Sequence, residues 1–128
     1  MAAYSKVNFR DVDDSAVEFG LAPNMEARFA RTALGLEQNG ISLQRLAPGF
    51  RQPFGHRHEA QEEIYVVLEG SGRAAIEGEV VDLAPLDAVR VAPAVTRQFE
   101  GGPDGMRVLV FGPHRQGDGE IVKDWWTD

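Results

Sequence analysis

The sequence predicts an all-β fold, a sandwich or barrel of short strands, and three observations carry that reading. Fourteen glycines and seven prolines punctuate the chain every few residues from Gly35 onward, which leaves no room for long helices. The apolar runs between them are of strand length. Two of the connections have the composition of tight hairpins: Glu69 to Gly72 carries Gly70 and Gly72, and Glu77 to Glu79 centres on Gly78, where a positive φ costs a glycine nothing. Short strands joined by such turns close into a sandwich or barrel.

Taken in chain order, Asp13, Asp14 and Ser15 can cap a helical turn through Ala16 to Phe19. Ala27, Phe29 and Arg31 then alternate with Glu26, Arg28 and Ala30 as a strand would. The strands proper are Ile41 to Leu46, Ile64 to Leu68, Arg73 to Ile76, Val80 to Leu83, Ala88 to Val91, Val95 to Phe99 and Arg107 to Phe111, at least seven in all. Gly101 to Gly105 and Gln116 to Gly119 read as flexible loops. The division expected is an N-terminal extension (1–35) packing on the barrel, the barrel itself (36–115) and a C-terminal tail (116–128), one domain overall. A chain of 128 residues supports one core, not two.

Composition narrows the function classes. Apolar residues make up 43% and charged ones 26%, near the values of ordinary globular domains. No stretch of about 18 apolar residues occurs, so a spanning helix is excluded, and the start lacks the pattern of a secretory signal. A cytoplasmic location is the expectation, with no membrane partner. Twenty acidic against thirteen basic residues give a net charge of −7, which repels phosphate backbones and makes nucleic acid an improbable partner. Cysteine is absent, so any bound metal must be held by nitrogen and oxygen.

His56 and His58 are two apart, so on an extended segment both rings leave one face and can converge on one point. Glu62 and Glu63 follow, and a bend at Glu59 to Gln61 could bring one carboxylate back to complete an N,N,O face for a divalent metal. The plainer alternative is a solvated polar loop. These residues resemble the first motif of the cupin superfamily: a glycine, a short spacer, His-x-His, a few residues, Glu, and a second glycine. Here Gly49, six residues, His56-Arg57-His58, the four residues Glu59 to Glu62, Glu63, the six residues Ile64 to Glu69 and Gly70 stand in that order.

The resemblance implies a cupin double-stranded β-helix, a jelly-roll barrel, with His56, His58 and Glu63 pointing into its mouth to bind Zn, Ni, Mn or Fe. No organic cofactor is expected. In the family's second motif, this chain has Leu86, Ala92 and Ala94 at glycine, proline and glycine positions, and Arg97 at the histidine position. The usual fourth ligand is therefore missing, and Arg has no lone pair to replace it.

Arg97 shares a face with Val95 and Phe99, which implies that it points inward, where a guanidinium needs Glu63, Glu62 or an anionic ligand as partner. The alternative is that it snorkels to the rim. Arg97, Tyr65, Phe99, Phe54 and Glu62 are the candidate ligand-binding residues, although aromatics on strands more often pack a core. His114 could bend back as a distant ligand or simply face solvent. The function expected is a small cupin that binds a metal and a small organic ligand, anionic by preference. Its alternative is a metal-free binding or sensing module in which Arg97 pairs with Glu63. A homodimer is also expected, burying Val7, Phe9, Val12, Ile121, Val122, Trp125 and Trp126. The competing arrangement folds the tail back on its own barrel.

Overall fold

The structure, a computed structural model, describes residues 3–128. A 3₁₀ turn at Phe9–Asp11 precedes α1 (Ser15–Glu18), β1 (Met25–Phe29), α2 (Arg31–Leu34), β2 (Asn39–Leu46), β3 (Phe54–His58), β4 (Glu63–Ile76), β5 (Glu79–Leu83), β6 (Ala88–Val91), β7 (Arg97–Pro113) and β8 (Gly119–Lys123). The strands run β1-β2-β7-β3-β8, with β4 bonded to β5, β6 and β7. All these pairings are antiparallel. The fold is the all-β barrel that the sequence predicts, and its core gathers Leu46, Val67, Ala74, Val91, Phe99 and Val108 between the two curved halves.

The long strands β4 and β7 make the barrel close. They pair in three stretches, Ile64 to Val67 against Val108 to Phe111, Glu69 and Gly70 against Arg107 and Met106, and Gly72 to Ile76 against Arg97 to Gly101, with the register slipping between each and the next. Glu69 to Gly72 is thus no hairpin, and Gly101 to Gly105 is no loop: both are irregular stretches inside continuous strands. The glycines there serve close backbone approach, not chain reversal. Gly70 (φ 73°) and Gly105 (φ 76°) are both left-handed, and a Cβ on Gly70 would collide with the Gly105 carbonyl. Such slips bend a strand and let it pass from one half of a barrel to the other.

The hairpin at Glu77–Gly78 does form, between β4 and β5. Its left-handed residue is Glu77 (φ 53°), not Gly78. Leu86, which stands at a glycine position of the second motif, keeps the glycine-like conformation with φ 71° and lies 79% exposed.

At the N-terminus the Asp14 carboxylate accepts from Ala16 N–H and Ala27 N–H, both at 2.9 Å. One side chain therefore caps α1, as expected, and ties it to β1. The strand alternation holds only through Phe29, because Arg31 begins α2, which ends at left-handed Gly35. Residues 25–29 and 119–123 both add strands to the sheet, so the extension and the tail contribute to the barrel itself.

The tail folds back. The Arg51 guanidinium lies 3.7 Å over the Trp126 ring, with Arg73 at 5.3 Å, and Arg51 Nη1 donates to the Trp126 carbonyl at 3.1 Å. Glu100 accepts from both arginines, at 2.8 Å from Arg51 and 2.7 Å from Arg73. Burial alone would raise the Glu100 carboxyl, but the hydrogen bonds from Arg73 and Arg51 hold it below its ordinary range. A carboxylate depressed in this way stabilises fully above its unfolded value of about 4.3 and loses that contribution as pH falls through the native value. Glu100→Gln should therefore cost about 1 kcal/mol at pH 7, solvent screening included. Urea melts of the variant and wild type should converge as the pH falls through the depressed native value of Glu100. A gap that stays the same as the pH is lowered would show that Glu100 acts by packing.

Candidate metal centre

The site is assembled by three strands. β3 carries His56 and His58 on one face, β4 opens with Glu63 and continues to Tyr65 on the same face, and β7 opens with Arg97 opposite His56. The bend at Glu59 to Glu62 returns the chain from β3 to β4, as the motif requires. Ligand atoms of His56, His58 and Glu63 all lie within 4.8 Å of one another, the one such cluster among the described residues.

Glu63 Oε1 is the hub. His56 Nε2 and His58 Nε2 each lie 3.3 Å from it, the Tyr65 hydroxyl donates to it at 2.6 Å, and Arg97 Nη2 donates at 2.9 Å. Burial alone would raise the Glu63 carboxyl. The imidazoles of His56 and His58 and the Tyr65 hydroxyl outweigh it and hold the group far below the ordinary carboxylate range. Burial, reinforced by the Glu63 charge, pushes the Tyr65 phenol well up, against the opposing pull of Arg97. Tyr65 is therefore a neutral donor and Glu63 an anion at any ordinary pH.

Arg97 is fully buried, at 0% exposure. Nε donates to Tyr65 Oη at 3.2 Å, Nη1 to the carbonyls of Val95 at 2.7 Å and Pro93 at 3.2 Å, and Nη2 to Glu63. Its charge is spent on the carboxylate and its donors on the barrel wall. It points inward, as its alternation predicts, and restrains Glu63 without reaching toward the mouth.

A cation fits this donor set. Both nitrogens of His58 are buried and neither has an aligned hydrogen-bond partner, although carboxylate oxygens stand at 3.3 and 3.4 Å. Buried polar atoms are normally satisfied, and a metal ion would satisfy Nε2 together with Glu63. Two neutral imidazoles and one carboxylate suit Zn, Ni, Mn or Fe.

A cavity of about 290 Å³ adjoins the cluster, lined by His56, His58, Glu63 and Tyr65 and by the apolar Phe19, Leu21, Met25 and Phe54. Tyr65 and Phe54 thus border the space that the sequence assigned to a ligand. Phe99 does not. It is buried beneath Tyr65, with ring centroids 4.4 Å apart, and belongs to the core. Glu62 is also elsewhere: neighbouring strand residues face opposite ways, and Glu62 turns outward to Arg90 at 2.9 Å. His114 lines a second cavity, of about 280 Å³, that shares His58 and Glu63 but leaves His114 outside the three-donor cluster. The sequence reading missed Phe19, Leu21 and Met25 because nothing local shows that the N-terminal segment crosses the mouth. It missed Asp118, whose buried carboxylate stands 3.4 Å from His58 Nδ1, because Gln116 to Gly119 has loop composition.

The cupin domain family model matches residues 42–112, and the chain belongs to that family. A cupin protein from Bacteroides fragilis is 25% identical with a TM-score of 0.71, covering 100% of this chain and 99% of that one. The polyketide cyclase RemF from Streptomyces resistomycificus is 23% identical with a TM-score of 0.76, over 97% and 87% of the two chains. A sugar phosphate isomerase of the cupin superfamily from Silicibacter pomeroyi is 17% identical with a TM-score of 0.71, over 94% and 93%. No curated protein matches by sequence.

Proposed function

We propose that this cupin binds one divalent metal ion through His56, His58 and Glu63 and holds a small organic ligand in the adjoining mouth. The observation that carries the reading is the convergence of the three donors, with His58 Nε2 buried, facing Glu63 and without an aligned hydrogen-bond partner. A bound ion supplies a Lewis acid and coordination positions for a ligand oxygen. The chain's own residues do the rest. Tyr65 and Arg97 hold the carboxylate in place, and Phe19, Leu21 and Phe54 keep water from the ligand's apolar part.

Charge supports an anionic ligand only with the metal present. Without it, Glu63 and Arg97 cancel and the buried Asp118 leaves the site acidic. With a divalent ion added, the site carries about one net positive charge in a partly dry pocket, and an anion is favoured. The similar structures include a cyclase and an isomerase, a spread that selects no reaction for this chain. A second reading rests on the 2.9 Å Arg97–Glu63 pair: the site is closed by its own cation and takes a ligand without metal. We also propose a twofold dimer, one in which Trp126 is not a free anchor because Arg51 engages it.

Calorimetric titration of chelator-stripped protein with Zn²⁺, Mn²⁺ or Ni²⁺ separates the readings. One ion per chain is expected for wild type and none for the His56→Ala, His58→Ala double variant. Equal binding by the two proteins would remove the metal site and leave the metal-free module.

A further inference from the structure

We infer that Asp118 is the positioning residue of His58, its buried negative charge drawing the ring proton to Nδ1 so that the Nε2 lone pair faces Glu63 and the centre of the site. The inference rests on the metal reading for its purpose, but its geometry stands by itself. The Asp118 side chain is fully buried, at 0% exposure, with Oδ2 3.4 Å from His58 Nδ1, a charge contact and not an aligned hydrogen bond. It cannot swing away, because Ala60 N–H donates to Oδ1 at 2.9 Å and Oδ2 at 3.0 Å, and Gln61 N–H donates to Oδ2 at 2.8 Å.

Its backbone is tied as well. The Asp118 carbonyl accepts from Glu59 N–H at 3.2 Å, left-handed Gly117 makes the turn that precedes it, and Gly119 pairs with His58 across β3 and β8. Arg115 stands 3.6 Å from the other oxygen, Oδ1, with its side chain 55% exposed.

An imidazole has one proton to place when neutral, and whichever nitrogen keeps it cannot bind a metal. A carboxylate facing Nδ1 draws the proton there and leaves Nε2 as the ligand. The same arrangement fixes the ring's plane and makes the ligand nitrogen more basic. Asp118 also joins the bend at Ala60 and Gln61 to β8, so the segment that delivers Glu63 and the ring of His58 are held by a single side chain. Among the described residues, His56 has no carboxylate partner but Glu63.

The test needs two measurements. Long-range ¹H–¹⁵N spectra of metal-free wild type at pH 8 should show the proton of His58 on Nδ1, a result that does not depend on any metal and needs no variant. A bare Nδ1 in wild type would overturn the inference. Asp118→Asn keeps the shape but weakens the acceptor, and zinc affinity measured by chelator competition should fall about 10- to 100-fold. Equal zinc affinity in the two proteins would overturn the inference while leaving the metal site standing. If wild type binds no zinc yet shows the Nδ1 proton, and Asp118→Asn loses it, Asp118 is upheld as the residue that orients His58 and the metal reading alone fails.

Discussion

Arg97→Met should lower the stability of the metal-free protein by about 3–5 kcal/mol and at the same time tighten its grip on zinc. The first effect follows from burial. Arg97 is 0% exposed and makes four hydrogen bonds, one to the Glu63 carboxylate. Removing one partner of a buried pair leaves the other uncompensated, and the carbonyls of Val95 and Pro93 lose their donor with it. The second effect follows from competition. A metal must share Glu63 with a guanidinium 2.9 Å away, and a hydrogen bond to a charged group is worth about 1.5–3 kcal/mol. Relieving it should gain about 10- to 100-fold in affinity. Zinc should then restore much of the lost stability, giving a larger rise in urea midpoint for the variant than for wild type. Arg97→His should gain still more, since it also supplies the ligand type that the second motif lacks. A variant as stable as wild type, with unchanged zinc affinity, would place Arg97 outside the energetics of the site.

Glu63→Gln is the mirror case and should lose on both counts. The amide can still accept from Tyr65, but it leaves the Arg97 cation buried without a counter-charge, at a cost of about 3 kcal/mol or more. Zinc binding should vanish, because one of three ligands is neutralised beside a fixed positive charge. Zinc should therefore give no rise in the variant's urea midpoint, the opposite of Arg97→Met. A zinc-dependent rise in Glu63→Gln would show that the ion sits elsewhere.

Much of this was legible in the sequence because strand and turn chemistry is local. The runs from Ile41, Ile64, Ala88 and Arg107 alternate or bury as written, and the His56, His58 and Glu63 spacing needs only an extended segment and one bend. The errors were of two physical kinds. Gly70, Gly72, Gly101 and Gly105 read as turn residues, since sequence shows that a glycine is needed and not whether the need is reversal of the chain or close approach of two backbones. Strands β3 and β8 hold few apolar residues, Phe54 alone in Phe54-Gly-His-Arg-His and the adjacent pair Ile121 and Val122 in Gly119-Glu-Ile-Val-Lys, so no apolar alternation marks them. The site residues that stayed hidden, Asp118 and the Phe19 to Met25 segment, reach His58 and the mouth only through long-range pairing.

The claim that His56, His58 and Glu63 form one metal centre is tested most directly by X-ray absorption on the protein loaded with a single equivalent of zinc. The spectrum should fit two imidazole nitrogens at about 2.0–2.1 Å with the remaining positions filled by oxygen. Oxygen-only coordination, or a spectrum unchanged in the His56→Ala, His58→Ala variant, would contradict it.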